Sequence, residues 1–181
     1  GNLFKVKADA LVSPANSFGD MGGGIDRAID EFYKRQAQPK LRRHICLAFY
    51  GELPVGMATI LEMGTPQFPY LIASPTMRVP GMLRKDSINV YLSLRASLVQ
   101  VLKFNENHNR KITSLVVPGL GTGVGGMAFE EAAQQMYEAY YAIFICLEEE
   151  LTYSPVSKGQ GLGFLHGAGG RLGKVGGDGE I

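Results

Sequence analysis

The chain has 181 residues, a formal net charge of +1 at pH 7 and 45% hydrophobic residues, which suits one globular domain with a complete core. The near-zero charge argues against general nucleic-acid binding through a basic surface. No apolar run approaches the length that crosses a membrane, and no signal-peptide pattern opens the chain. Because the two cysteines, Cys46 and Cys146, make neither a disulfide framework nor a metal cluster, we expect reduced thiols in a cytoplasmic protein, with a nuclear one as the alternative.

The predicted elements alternate along the chain between buried strands and amphipathic helices. A short strand at residues 10–12 ends before Pro14, and apolar residues at helical spacing follow between 25 and 33. Strands are predicted at 57–63 and 70–73, a helix over 88–102, a strand at 112–117 and a long helix over 129–147. This order predicts an α/β domain in which helices cover both faces of a sheet.

Two glycine-rich segments stand at matching places, each after a buried strand and before a helix. The first reads SPANSFGDMGGGID over residues 13–26, and the second reads PGLGTGVGG over residues 118–126. Glycine permits positive φ angles and a close ligand approach, so successive N–H groups and a following helix N-terminus can all point at one anion. Ligands of α/β sheets bind at the carboxyl ends of strands, where both segments lie. The two segments therefore predict a cleft for a diphosphate.

A dinucleotide-binding fold is the weaker interpretation of the second segment. Gly121, Gly123 and Gly126 match the G-x-G-x-x-G fingerprint between a strand and a helix. The match comes near the end of the chain, however, and the acidic residues 148–150 look like a helix end rather than a strand end. There is no G-K-S/T sequence for a nucleotide triphosphate, and the three histidines are scattered without ligand spacing. We therefore expect neither a cofactor nor a metal.

The last part of the chain differs in composition from the rest. Residues 157–181 are rich in glycine and show no periodicity, which predicts a flexible tail behind a domain of residues 1–156. A third phosphate loop there would need a strand before it and a helix after it, and neither is visible.

Three motifs in the right order resemble the macro domain family, a module that binds ADP-ribose. DALVSPAN at 9–16 resembles the family's D-A-I-V-N-x-A-N strand, and GGGIDRAI at 22–29 resembles its G-G-G-V-D-x-A-I loop and helix start. VPGLGTGV at 117–124 resembles the P-x-I-G-T-G-V loop, and residues 1–2 resemble the end of the G-D-I turn. The resemblance covers roughly residues 1–151 and implies a three-layer α/β/α fold with a mixed central sheet. The family's first strand, and its final strand and helix, have no clear counterpart, which leaves open a sheet without its edge strands.

The resemblance also implies roles for individual residues. Asn16 would hydrogen-bond the distal ribose, the glycine triplet at 22–24 would wrap that ribose, and the second glycine segment would hold the diphosphate. Asp26 would position or activate a water beside the anomeric carbon, as a carboxylate near a ribose can. Asn2 would meet the adenine amino group. The expected ADP-ribose site comprises Asn2, Ala15, Asn16, Gly22, Gly23, Gly24, Asp26, Gly121, Thr122, Gly123, Val124 and Gly125, with Asn16 and Asp26 as the catalytic pair.

Four positions depart from the family pattern. Ser13 replaces the first asparagine of the strand motif, and Asn2 replaces an aspartate, which weakens a charge-assisted contact to adenine. Asp30 stands where hydrolytic members often carry a histidine. Gly125 stands where an aromatic residue often stacks on the distal ribose, so that stacking would be lost.

Three functions remain open from the sequence. The first is a hydrolase that releases ADP-ribose from a modified protein or acts on O-acetyl-ADP-ribose, and the second is a non-catalytic reader of ADP-ribose or ADP-ribosylated protein. The third is a degraded macro-like domain without a ligand. Asp26 has helix capping as its structural alternative, Asn16 has fastening of its own loop, and Asp20 is expected to be a solvated turn residue.

Overall fold

The computed structural model describes residues Gly1–Ile145, which form one mixed sheet between two layers of helices. A short 3-10 turn at Leu3–Lys5 comes first. The strands and helices then follow in the order β1 (Ala10–Ser13), α1 (Gly24–Phe32), α2 (Ala37–Ala48), β2 (Thr59–Glu62), β3 (Tyr70–Ala73), α3 (Asn89–Asn107), β4 (Leu115–Val116) and α4 (Phe129–Phe144).

The sheet has the strand order β2-β3-β1-β4, with β1 and β3 in the centre. β1 runs parallel to both β3 and β4, and it pairs Ser13 with Ala73 and Ala10 with Leu115. β2 runs antiparallel to β3. Every residue of β1 and β3 is buried, as expected for strands covered on both faces. The α/β architecture predicted from the sequence is confirmed.

Alternate residues of the central strands enter two separate hydrophobic cores. On one face Val12 and Ile72 pack with α3 and α4, and on the other Leu11 and Leu71 pack with α1 and α2. This alternation follows from the two-residue period of a strand. The helices thus cover both faces of the sheet, and its edge at the carboxyl ends of the parallel strands is formed by loops.

Helix α2 was not predicted, although its pattern is visible once the fold is known. Ala37, Leu41 and Ile45 are buried at intervals of four residues, and Pro39 lies in the first turn, where its missing N–H costs nothing. The predicted strand at 112–117 is reduced to two residues. Asn105 and Asp9 explain the late start of this strand. The Asn105 side chain bonds both the N–H and the C=O of Ile112 at 2.8 Å, and the Asp9 carboxylate accepts the amides of Thr113 and Ser114.

The C-terminal predictions fall largely outside the described residues. Helix α4 starts at the predicted residue and ends at Phe144, just before the end of the described chain. The predicted tail at 157–181 and the domain boundary at 156 both lie outside it. Within residues 1–145, no helix is long and apolar enough to cross a membrane.

Candidate functional site

A cavity of about 350 Å³ opens at the carboxyl ends of the parallel strands. β1 leads into the first glycine segment and β4 leads into the second, so the strand pairing alone brings the two segments together. Both segments line the cavity. This is the arrangement that the sequence predicts, at the edge where α/β sheets bind ligands.

Most of the predicted site residues line this cavity, and three do not. The lining includes Asn16, Gly22, Gly23, Gly24, Asp26, Gly121, Gly123, Val124 and Gly125. Outside it, the side chain of Asn2 accepts the Phe4 amide at 2.9 Å and caps the 3-10 turn. Ala15 is buried beneath the loop, and the Thr122 hydroxyl donates to the carbonyl of Gly119 at 3.0 Å.

Asp26 is the most perturbed acid of the cavity. Its Oδ1 accepts a hydrogen bond of 2.6 Å from the hydroxyl of Ser13, a fully buried residue at the end of β1. Burial of the carboxyl is the largest influence and raises the pKa of Asp26 to about 6, while the Ser13 hydrogen bond lowers this pKa and the charge of Asp20 raises it. Asp26 is therefore ionised at neutral pH and poised to titrate just below it.

Ser13 is a site residue that sequence reasoning treated only as a departure from the motif. Its hydroxyl donates to Asp26 and accepts the amide of Ala15 at 3.3 Å, so it joins the strand end to the start of α1. The sequence signal was the hydroxyl itself, placed at the carboxyl end of a buried strand.

Asn16 fastens the first glycine segment from within. Its Oδ1 accepts the amides of Phe18 and Asp20, both at 3.1 Å, and the residue is only 7% exposed. The structural alternative for this residue is therefore realised. Because Asn16 also lines the cavity and its oxygen is engaged, the group that it can offer a ligand is its amide N–H₂.

Asp20 combines a turn role with a place in the cavity wall. The residue is exposed, as expected for a turn aspartate, and its Oδ1 accepts the amide of Gly22 at 3.1 Å. It also lines the cavity beside Asp26. Two carboxylates thus stand at the end of the cleft formed by the first glycine segment.

The second glycine segment is packed too closely to carry side chains at two positions. A Cβ built on Gly121 would lie 2.6 Å from Val90 Cγ2, and its φ of +71° further favours glycine. A Cβ on Gly125 would lie 2.5 Å from the carbonyl oxygen of Gly121 and 3.0 Å from Leu83 Cγ. The amide of Leu83 also donates to the Gly125 carbonyl at 2.8 Å. The packing of this loop therefore requires glycine at position 125. For the same reason the position has no aromatic side chain to stack on a ribose.

A third segment of the cavity wall follows β3 and was not predicted. Thr76, Met77 and Pro80 of this segment also line the cavity. The amide of Ser17 donates to the carbonyls of Met77 and Arg78 at 3.2 Å, which holds the two loops together. The sequence indicated only the strand before this segment. That this strand pairs with β1, which brings the segment to the cavity, depends on residues far apart in the chain and has no local signal.

The cavity offers backbone amides and carboxylates rather than metal ligands. In the part of the chain that the structure describes, no group of three or more His, Cys, Asp or Glu side chains is arranged to hold a metal ion. Asp20 and Asp26 are the titratable groups of the cavity lining. The arrangement suits an anionic, hydroxyl-rich ligand with one acid close to its end.

Comparison with known proteins gives the family. Residues 12–136 match the Macro domain family. A protein from Aquifex aeolicus is 34% identical over 138 residues, which cover 76% of each chain. A DNA ADP-ribosyl glycohydrolase from Mycobacterium tuberculosis is 28% identical over 141 residues, and these span 77% of this chain but 37% of the longer relative.

The fold comparison agrees with the sequence comparison. A variant of the Oceanobacillus iheyensis macrodomain with ADPR superimposes with a TM-score of 0.66, at 21% identity and over 79% of this chain and 74% of that one. The resemblance drawn from three short motifs is thereby confirmed. The chain belongs to the macro domain family.

Proposed function

We propose that the cavity binds ADP-ribose and that the chain hydrolyses the bond between ADP-ribose and an acceptor. The observation that carries the proposal is the meeting of two glycine segments around one cavity, with a partly buried carboxylate of pKa about 6 at one end. The solved relative with ADPR and the mycobacterial glycohydrolase support the choice of ligand and reaction.

The proposed pose follows the sequence-based assignment. The diphosphate lies on the backbone amides of Gly121, Gly123 and Gly125, which approach it closely because no side chain intervenes. The distal ribose lies against the glycine triplet at 22–24 and the amide group of Asn16. Three assigned residues lie outside the cavity lining, namely Asn2, Ala15 and Thr122. In this pose they would contact the ligand only after moving towards the cavity.

In the proposed reaction, Asp26 orients a water for attack on the anomeric carbon. The water oxygen forms a bond to that carbon, the bond from carbon to the acceptor oxygen breaks, and the acceptor leaves with the bonding pair. Asp26 accepts a water proton, which the partial burial and the raised pKa favour. The products are ADP-ribose and the free acceptor.

A reader without turnover is the second candidate. Within the described residues, the cavity lining holds no histidine, lysine or tyrosine that could protonate a leaving group. Asp30, at the position of the family histidine, is engaged by the amide of Gln38 at 2.9 Å. Hydrolysis would then depend on an acceptor that leaves without protonation, such as a carboxylate or a phosphate.

The acceptor and the location are further parts of the proposal. An ADP-ribosylated protein is the first substrate to test, and the name of the mycobacterial relative makes ADP-ribosylated DNA the second. We also propose an intracellular, cytoplasmic location, on the sequence argument that two cysteines make no disulfide framework.

Two measurements test the proposal in order. Calorimetry with ADP-ribose, ADP and AMP should give the tightest binding for ADP-ribose, and no heat at millimolar ADP-ribose would refute binding and favour a degraded domain. Release of ADP-ribose from a modified protein and a modified oligonucleotide then separates hydrolase from reader. Asp26→Ala should abolish release, whereas Asp86→Ala, at an exposed aspartate paired with Arg84, should not. Equal activity of both variants would refute the role of Asp26.

A further inference from the structure

A second cavity, of about 250 Å³, adjoins the first beyond the glycine triplet. Its lining includes Gly22, which also lines the main cavity. Arg27 of its lining directly follows Asp26 of the main cavity in the chain. The proposed reaction separates ADP-ribose from its acceptor beside Asp26, so an acceptor that leaves on this side of the glycine triplet would pass the second cavity.

Two arginines flank this second cavity. Glu31 holds both of them, with its Oε1 at 3.1 Å from Arg27 Nε and 3.5 Å from Arg35 Nη2. The bond from Arg27 uses Nε and leaves the two terminal nitrogens of its guanidinium for another acceptor. The other acid of the lining, Asp30, accepts the amide of Gln38. A carboxylate thus fixes two guanidinium groups beside this second cavity, and guanidinium is the group best suited to bidentate phosphate contacts.

The backbone that carries Arg35 is strained. Lys34 and Arg35 both have positive φ angles, of 55° and 59°, where glycine or asparagine would fit at less cost. Such strain costs about 1 kcal/mol or more at each residue and tends to persist at functional positions. Here it turns the chain after α1 so that Arg35 reaches back to Glu31 and the cavity.

The charge around this cavity is unbalanced, although the whole chain is nearly neutral. Between residues 24 and 48, six Lys or Arg residues face three Asp or Glu residues, and all six basic side chains are exposed. The opposite layer has the reverse balance, since α3 and α4 together carry four glutamates and two Lys or Arg residues. The basic residues of the first layer are Arg27, Lys34, Arg35, Lys40, Arg42 and Arg43.

We propose that this second cavity is an acceptor subsite in which Arg27 and Arg35 bind phosphates of an ADP-ribosylated nucleic acid. The inference rests on the proposed function, and it makes nucleic acid rather than protein the preferred acceptor. A phosphate backbone presents repeated charges along its length, which suits a basic surface extending from the cavity over α1 and α2. A single modified acidic side chain would engage no such extended surface.

The test compares binding of three probes: free ADP-ribose, a short single-stranded oligonucleotide carrying one ADP-ribose, and an uncharged peptide carrying one ADP-ribose. All proteins carry Asp26→Asn so that the probes are not consumed. The double variant Arg27→Gln/Arg35→Gln should weaken the modified oligonucleotide at least about tenfold and reduce its salt dependence by about two contacts, with free ADP-ribose changed less than about twofold. The matched control is Arg95→Gln/Lys103→Gln, at two exposed positions of α3, and it should change none of the three.

The subsite would be overturned by an unchanged affinity for the modified oligonucleotide, by an equal loss in the control pair, or by an equal loss for the modified peptide. Because both arginines are exposed, the variants should melt within a few degrees of their parent, and a common loss of all three probes would also count against the subsite. Failure of the unaltered chain to bind free ADP-ribose refutes the proposed function instead.

Discussion

Replacement of Asp26 by asparagine should make the protein more stable at neutral pH while it removes hydrolysis. Burial raises the pKa of Asp26 from 3.8 to about 6, so the folded chain holds this carboxyl in its charged form at a cost. A change of this size corresponds to about 3 kcal/mol when each pKa unit is worth about 1.4 kcal/mol. Because the side chain is only partly buried and solvent can relax around it, we expect a gain of about 1–2 kcal/mol.

The sign of the pH dependence makes the prediction specific. Between about pH 4 and pH 6 the unfolded carboxyl loses its proton while the folded one keeps it, so stability falls as pH rises through this window. An asparagine at this position cannot ionise and can still accept the Ser13 hydroxyl. Asp26→Asn should therefore match the parent near pH 4 and exceed it at pH 7.5.

Urea unfolding at pH 4 and pH 7.5 measures this difference. Asp9→Asn is the matched control, because the Asp9 carboxylate accepts hydrogen bonds from Thr113 and Ser114, and these bonds lower its pKa. Stability from Asp9 is present at neutral pH and is lost as pH falls, so Asp9→Asn should destabilise at pH 7.5. A loss of stability in Asp26→Asn at pH 7.5, or a gain of equal size at both pH values, would refute the burial argument.

Three further changes test the wall of the cavity. Ser13→Ala removes the hydrogen bond that lowers the pKa of Asp26, so the acid limb of the activity profile should move to higher pH. Gly125→Ala should cost about 1–3 kcal/mol of stability or weaken ADP-ribose binding by about tenfold. Gly123→Ala should be close to neutral, because its Cβ would meet no atom of the described residues within 4 Å. Asn16→Asp keeps the acceptor for two loop amides and should fold normally with reduced turnover, while Asn16→Ala should also lose stability.

Each of these comparisons has an outcome that contradicts it. Ser17→Ala removes a buried hydroxyl that has no hydrogen-bond partner within residues 1–145, so a pH profile that moves as far as in Ser13→Ala would refute the specific role of Ser13. Equal effects of alanine at 123 and 125 would show that steric packing does not decide which loop glycine is required. Full turnover in Asn16→Asp would show that the amide N–H₂ group of Asn16 is not needed for the reaction.

The sequence was sufficient to predict the cavity because its signals are local. Each glycine segment directly follows a strand and precedes a helix, so the strand ends and the loops could be placed from short windows. Parallel pairing of β1 with β4 then brings the two segments to one edge. The α/β class and the position of the site both follow from this pattern.

The missing parts of the site depend on contacts between distant residues. Thr76 and Met77 enter the cavity only because β3 pairs beside β1, which no local pattern specifies. The crowding at Gly125 comes from Leu83, which lies far earlier in the chain, and the partner of Asp26 lies 13 residues away. Packing and hydrogen bonding between residues this far apart in the sequence are determined only when the chain folds. A motif can therefore predict where a residue lies, but not which residues it contacts.

The capping alternative for Asp26 can now be weighed against the site role on physical grounds. A first-turn aspartate that serves its helix is exposed and stabilises it by about 0.3–1 kcal/mol. In α1, Gly23 occupies the cap position without a side-chain bond, and the bonded partner of the Asp26 carboxylate is Ser13 on β1. The raised pKa means that the charge costs stability. If Asp26 serves as a cap, Asp26→Asn should destabilise the chain. If its carboxylate serves the reaction, the same variant should be more stable and less active. The stability and activity of this one variant therefore decide between the two roles.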